Sequence, residues 1–272
     1  MTLICLIEIW GRFCHTQSYT AHRIYTPASS GRGKTQNAMK DFLTFLSELD
    51  WSPLWISLKT GVVAATFSFF LGIFIARKVV KAGPKVRAVV DGFLTMPLVL
   101  PPTVAGFFLL LIFSTRRPFG SMLYETFGIK VVQTWLGCIL AATMISLPLM
   151  YRNTRAAFEQ IDVNLVYAAR TLGMSETRIF WRVIMPAAGP GVVSGTILAF
   201  ARALGEYGAT SMLAGNIPGK TGTISQRIAM VIQNGDYATA GFWVLVIIII
   251  AFVIVLAMNL ITSRQMKNVT RY

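Results

Sequence analysis

The sequence predicts an all-α membrane protein of about five transmembrane helices, and three observations carry that expectation. Apolar stretches long enough to cross a bilayer recur along the chain, charged residues are scarce, and the basic ones gather at the ends of the apolar stretches. Of 272 residues, 54% are hydrophobic and 13% charged, whereas charged residues approach about a quarter of a soluble domain. The mean hydropathy is +0.61. A formal charge of +14 would suit a nucleic-acid binder, but no basic stripe is interleaved with stacking aromatics, so the charge reads as a topology signal. Cys5, Cys14 and Cys138 lack the spacing of metal ligands, and Cys138 lies in an apolar run where a thiol acts as a small hydrophobe.

Residues 1–38 stand apart. MTLICLIEIW is interrupted by Glu8, too short to span, and followed rather than preceded by Arg12 and Arg23, the wrong order for a signal peptide. The stretch reads as a disordered extension ahead of a start at Met39, with a cleaved signal as the alternative. From there Phe42, Phe45, Leu46 and Leu49 recur at helical spacing beside acids, which predicts an interfacial helix over 39–53. Leu54 to Ala76 is the first span, with Lys59 close enough to one end to snorkel. Phe93 to Phe113 is the second, broken by Pro97, Pro101 and Pro102. Carbonyls freed by proline need partners from other helices or a wet cavity, so this span is expected inside the bundle. Val131 to Tyr151, with Pro148, is the third; Gly191 to Leu213 is the fourth; Gly241 to Ile261, continuous and featureless, is the fifth and the natural lipid-facing helix.

Five spans put the chain ends on opposite sides, and basic residues decide which is which. One side receives Arg77, Lys78, Lys81, Lys85 and Arg87, then Arg152, Arg155, Arg170, Arg178 and Arg182, then Arg264, Lys267 and Arg271. That side is expected to be cytoplasmic, and with it loops 77–92 and 152–190 and the C-terminus. The other side carries Arg116, Arg117, Lys130, Lys220 and Arg227 against the acids Asp41, Glu48 and Asp50.

Catalytic chemistry finds little support. GNIPGKTG, at Gly215 to Gly222, resembles a phosphate loop but has Ala214 where that motif requires glycine, and GRGKT at Gly31 to Thr35 fails likewise at Ala28. His15 and His22 both fall in the extension, leaving no histidine acid, base or metal site in the membrane body. An enzyme is disfavoured. Within the apolar body, Arg202 and Glu206 stand four apart on one helix face and can pair. Two readings stay open: a structural ion pair, or an arginine that attracts an anion along a path with its charge balanced by the glutamate. Gly205, Gly208, Gly215, Ala209, Thr210 and Ser211 make that helix small-faced, for close packing or for lining a pore.

Between the third and fourth spans lies a polar loop. Asp162 can cap a short helix from Val163 that stops at Gly173, and Ser175 can cap a second that runs through Met185 to Pro186. The second places Ile179, Phe180, Val183 and Ile184 on one side beside Arg178 and Arg182, as at a membrane or partner surface.

The pattern EAA, three residues, Gly, nine residues, Ile, one residue, LP is the signature of permease subunits of bacterial ABC importers. This chain resembles it through Ala168, Ala169, Gly173, Val183, Met185 and Pro186, with Tyr167 in place of the usual Glu. PLVLPPTVAGFFLL, SLPLMYRNTRAAFEQID, AARTLGMS and LAFARALGEYGATSMLAGNIPGKT extend the likeness to the molybdate, tungstate and sulfate branch, molybdate permeases above all. Residues 1–38 and Ser225 to Ile228 depart from it. The resemblance implies a type I ABC importer permease fold over 54–262 with a cytoplasmic tail at 263–272, in a bacterial inner membrane. It implies a homodimer, two cytoplasmic ATPase subunits that bind ATP and Mg, and an extracytoplasmic molybdate-binding protein, with no cofactor on this chain. It makes Tyr167, Ala168, Ala169, Gly173, Arg178, Val183, Met185 and Pro186 the ATPase-coupling loop. Pro101, Pro102, Thr103, Arg202, Glu206 and Ser211 are candidates for the translocation path. A tungstate or sulfate/thiosulfate permease is the alternative, and a non-transporting membrane scaffold the alternative of another class.

Overall fold

The computed structural model describes residues 47 and 49–269. The expected extension over 1–38, with its histidines and two of the cysteines, and most of the expected interfacial helix lie outside the described residues. Eleven α-helices follow in order: α1 Ser52–Val80, α2 Pro84–Val99, α3 Pro102–Phe113, α4 Pro118–Phe127, α5 Trp135–Glu159, α6 Val163–Thr171, α7 Glu176–Ile179, α8 Met185–Leu204, α9 Gly208–Leu213, α10 Ile224–Gln233 and α11 Tyr237–Val269. A π-helical turn, Phe180–Ile184, joins α7 to α8. Among the described residues, four helices are long and apolar enough to cross a membrane, or up to five if the bent pair α2–α3 counts as one span.

The centre is α5 clasped between α1 and α8. Along α1 the buried positions Ser57, Thr60, Gly61, Ala64, Ala65, Ser68, Gly72 and Ala76 form a small-residue stripe, which lets backbones approach closely where lipid offers no hydrophobic drive to associate. A Cβ on Gly72 would lie 2.8 Å from Met150 Cγ, and Ser68 and Ser146 share a 2.7 Å hydrogen bond. Trp135 Nε1 donates to Thr60 Oγ1 at 2.9 Å. On the other flank, a Cβ on Gly191 would meet Ala157 Cβ at 2.5 Å and one on Gly195 would meet Asn153 Cβ at 2.8 Å. Met150, Tyr151 and Phe158 of α5 then share a core with Ile73, Ala76, Val79, Phe180 and Val192.

The second span is bent by 111° between α2 and α3. Leu100 precedes Pro101 and Pro101 precedes Pro102, and both are extended, with ψ of 144° and 134°; a following proline bars the helical region to each. Within this chain the span, expected inside the bundle, packs unevenly. None of α2 is fully buried, whereas α3 packs through Ala105 and Gly106.

Two further expectations change. Pro186 does not end the helix from Glu176; the axis continues to Leu204. A proline inside a helix lacks a donor and crowds the carbonyl four residues back, here Arg182. The π turn supplies the slack: the Met185 amide donates to the Phe180 carbonyl, five residues back. The fourth span in turn stops at Leu204, and α9 begins only at Gly208. The apolar window of the last span, α11, is 0% buried within this chain.

Candidate functional site

In the polar loop, the Asp162 side chain accepts from the Asn164 amide and caps α6 as expected. Gly173 ends it with a φ of +73°, in the left-handed region that glycine enters without cost. Ser175 stands at the start of α7 in an extended conformation with no side-chain cap bond, unlike the expectation. Glu176 ties the pieces together, accepting from Arg170 Nε at 2.7 Å and from Lys81 Nζ at 3.0 Å, so α6, α7 and the end of α1 meet at one carboxylate. That hydrogen bond and charge hold the Arg170 guanidinium above its ordinary value.

The apolar side of the second loop helix is turned partly into this chain, with Val183 and Ile184 half-buried. Ile179 and Phe180 are buried, and Phe180 is wedged between Phe158, edge-on at 5.8 Å, and the Arg77 guanidinium, 4.1 Å above its ring. What the loop presents outward is α6 and its flanks: Val163, Leu165, Tyr167, Leu172 and Trp181, all exposed. Tyr167 lies under Arg170 at 5.8 Å from ring centre to guanidinium, and Ala169 is buried. Ala168, Arg178 and Pro186 are exposed, while Val183 and Met185 are half-buried.

The second set of candidates gathers where two helix breaks face each other. A Cβ on Gly208 would come within 3.0 Å of Pro102 Cβ and 3.2 Å of the Thr103 amide, and one on Gly106 within 2.6 Å of Ala209 Cα. The α3–α9 contact is therefore backbone against backbone, which explains the small residues on both. Across the second break, Arg202 Nη1 donates to Glu206 Oε2 at 2.9 Å and the Ala209 amide donates to Glu206 Oε1 at 2.8 Å. Pro101 lies in the first break, and Ser211 sits half-buried on α9. Pro102, Thr103, Arg202 and Glu206 are thus joined through Gly208 and Ala209.

Sequence reasoning missed a polar clamp. Arg155 on α5 pairs with Asp91 of α2 and with Glu159, Arg87 of α2 also pairs with Glu159, and the Tyr151 hydroxyl donates to Asp91. The spacing of Arg87 to Asp91 and of Arg155 to Glu159, four residues each, was the available signal. The GNIPGKTG loop, for its part, is closed on itself. The amides of Lys220, Thr221 and Gly222 all point at the Ile217 carbonyl, and Gln226 Nε2 donates to the Gly215 carbonyl at 2.9 Å. Donors that would cradle a phosphate are already engaged, and the polar Gln226 is accounted for.

Residues 68–271 match the family described as binding-protein-dependent transport system inner membrane component. The molybdenum transport system permease protein ModB of Escherichia coli K12 is 43% identical over 189 residues, 70% of this chain and 82% of that protein. The sulfate transport system permease protein CysT of Salmonella typhimurium LT2 is 31% identical over 237 residues, 82% of this chain and 85% of that protein. Among solved structures, an ABC transporter that imports the acidic polysaccharide alginate superposes with a TM-score of 0.68 at 18% identity, covering 82% of this chain and 83% of that one. The inward-facing MetNI methionine transporter gives 0.62, also at 18%, over 78% and 94%.

Proposed function

The chain belongs to the family of binding-protein-dependent transport system inner membrane components, and from that premise we propose that it forms the membrane path of an ATP-driven molybdate importer. Membership makes it a multi-pass permease subunit of an ABC importer rather than an enzyme. In this reading two copies enclose the path. Two ATPase subunits, which hold ATP and Mg, dock beneath α6, and an extracytoplasmic protein delivers the oxyanion from the opposite side. The cytoplasm holds loops 77–92 and 152–190 and the C-terminus.

The observation that carries the coupling role is the exposed apolar cluster on α6 and its flanks, on a segment bonded through Glu176 to α1. Closure of the ATPases pushes α6, and Glu176, Lys81 and Phe180 pass the displacement to α1 and α5. Molybdate is favoured over sulfate by the higher identity to the molybdenum permease. In the path, the Thr103 and Ser211 hydroxyls and the outer edge of Arg202 meet a tetrahedral dianion weakly, since strong binding would trap it.

The complex reconstituted in liposomes with its ATPase and binding protein should take up labelled molybdate only when ATP is supplied. Uptake unaffected by excess tungstate or sulfate fixes the solute; uptake of an unrelated solute instead overturns the substrate.

A further inference from the structure

We propose that Glu206 is a positioning residue whose charge keeps Arg202 from trapping the transported anion. The inference rests on the oxyanion path proposed above and assigns a task to a carboxylate that such a path should exclude.

Glu206 is only 2% exposed. A buried carboxylate is costly unless its oxygens are satisfied, and both are: one by the Arg202 guanidinium, the other by the Ala209 amide. The Arg202 side chain remains 33% exposed. The pair is therefore unevenly placed, with the carboxylate buried and part of the Arg202 side chain accessible. An anion that reached Arg202 would meet a guanidinium whose countercharge is held at 2.9 Å.

Holding the α9 amide alone needs no charge, since a hydroxyl or amide side chain caps a helix as well. Pairing Arg202 alone would not need the acceptor at the break. One residue does both, so the separation of the cation from its countercharge is fixed by the same bond that fixes the break. A solute must enter such a site and leave it within one cycle. With its counter-ion, Arg202 offers hydrogen bonds and a weak field; without it, the unscreened charge would tighten binding of a dianion by roughly ten-fold or more.

The test uses the purified complex of permease and ATPase subunits, with labelled molybdate as probe. Glu206→Gln keeps the shape, and its carbonyl oxygen can still accept from Ala209. By equilibrium dialysis without the binding protein, Glu206→Gln should bind molybdate at least about ten-fold tighter than wild type. Molybdate preloaded inside liposomes should slow ATP-driven uptake by Glu206→Gln and leave wild type little changed. Adding Arg202→Gln to that variant should return both readouts towards wild type.

A second variant guards against misfolding. Arg202→Gln alone leaves the carboxylate uncompensated beside the path, so its uptake should fall below that of the variant carrying both substitutions. Tightening that persists in the double variant, or Glu206→Gln binding no tighter than a transporting wild type, overturns the inference. A wild-type complex that moves no molybdate with ATP sinks the transport reading beneath it.

Discussion

At Gly173 the backbone has a φ of +73°, and a Cβ placed there would meet nothing within 4 Å. The site is open, so a side chain is opposed by backbone conformation alone, at about 1–2 kcal/mol for a β-branched residue. Gly173→Val should leave the chain inserted and the ATPase bound, because the exposed α6 surface is kept. It should reduce ATP-driven uptake by roughly ten-fold, because the angle between α6 and α7 is lost. Co-purification of the ATPase together with an uptake assay checks both halves; full uptake would favour the non-transporting scaffold. The glycine was readable from sequence as a helix terminator, as was Asp162 as a cap. Ser175 was not, because a residue type permits a cap bond without enforcing one. Tyr167, the departure from the family pattern, is exposed and stacked by Arg170, and nothing in the structure explains why it replaces Glu.

Among elements, the spans and the loop were legible because apolar length and cap chemistry are local. The π turn was not. A proline at position 186 announces a helix end, and only the packing of Phe180 between Phe158 and Arg77 shows why the helix goes on instead. Deleting Trp181 should restore an ordinary α register and turn everything upstream by about 100° relative to α8. Phe180 would leave its slot and Glu176 its two bases. The expected outcome is a folded complex that hydrolyses ATP without accelerating when the loaded binding protein is added, as measured by ATPase assays.

The α2 clamp was equally hidden, since it joins residues that are far apart in sequence. With no fully buried residue, α2 rests on half-buried Val90 and Leu94 and on its ion pairs to α5. Asp91→Asn should weaken that attachment by about 1 kcal/mol, a discounted value because both Asp91 and Arg155 retain some exposure. A cysteine placed at Leu94 should then react faster with a water-soluble maleimide than in the parent chain; an unchanged rate would mean that α2 is held by something other than the clamp.

For the molecule as a whole, the basic residues predict orientation. Reporter fusions at residue 272 and in the loop between α5 and α6 should report a cytoplasmic location, and a fusion in the Ser114 to Lys130 loop the opposite one. A cytoplasmic signal from that last loop would invert the proposed topology. The expected orientation rests on counts of charges near the ends of apolar runs, which are local features of the sequence. The facing of the two breaks was not legible there, because it depends on how α3 and α9 meet.

The glycine contacts of α5 have a mechanical meaning. Gly72, Gly191 and Gly195 leave no room for even a methyl group between α5 and its two neighbours, so these three helices form a stiff rod without slip planes. A push applied at α6 cannot be absorbed along that rod. In the proposed cycle it would emerge at joints such as the extended Leu100–Pro101 step and the Gly205–Tyr207 interruption. Both lie beside Thr103, Arg202 and Glu206, so in the proposed reading the joints of the molecule coincide with the path of the solute.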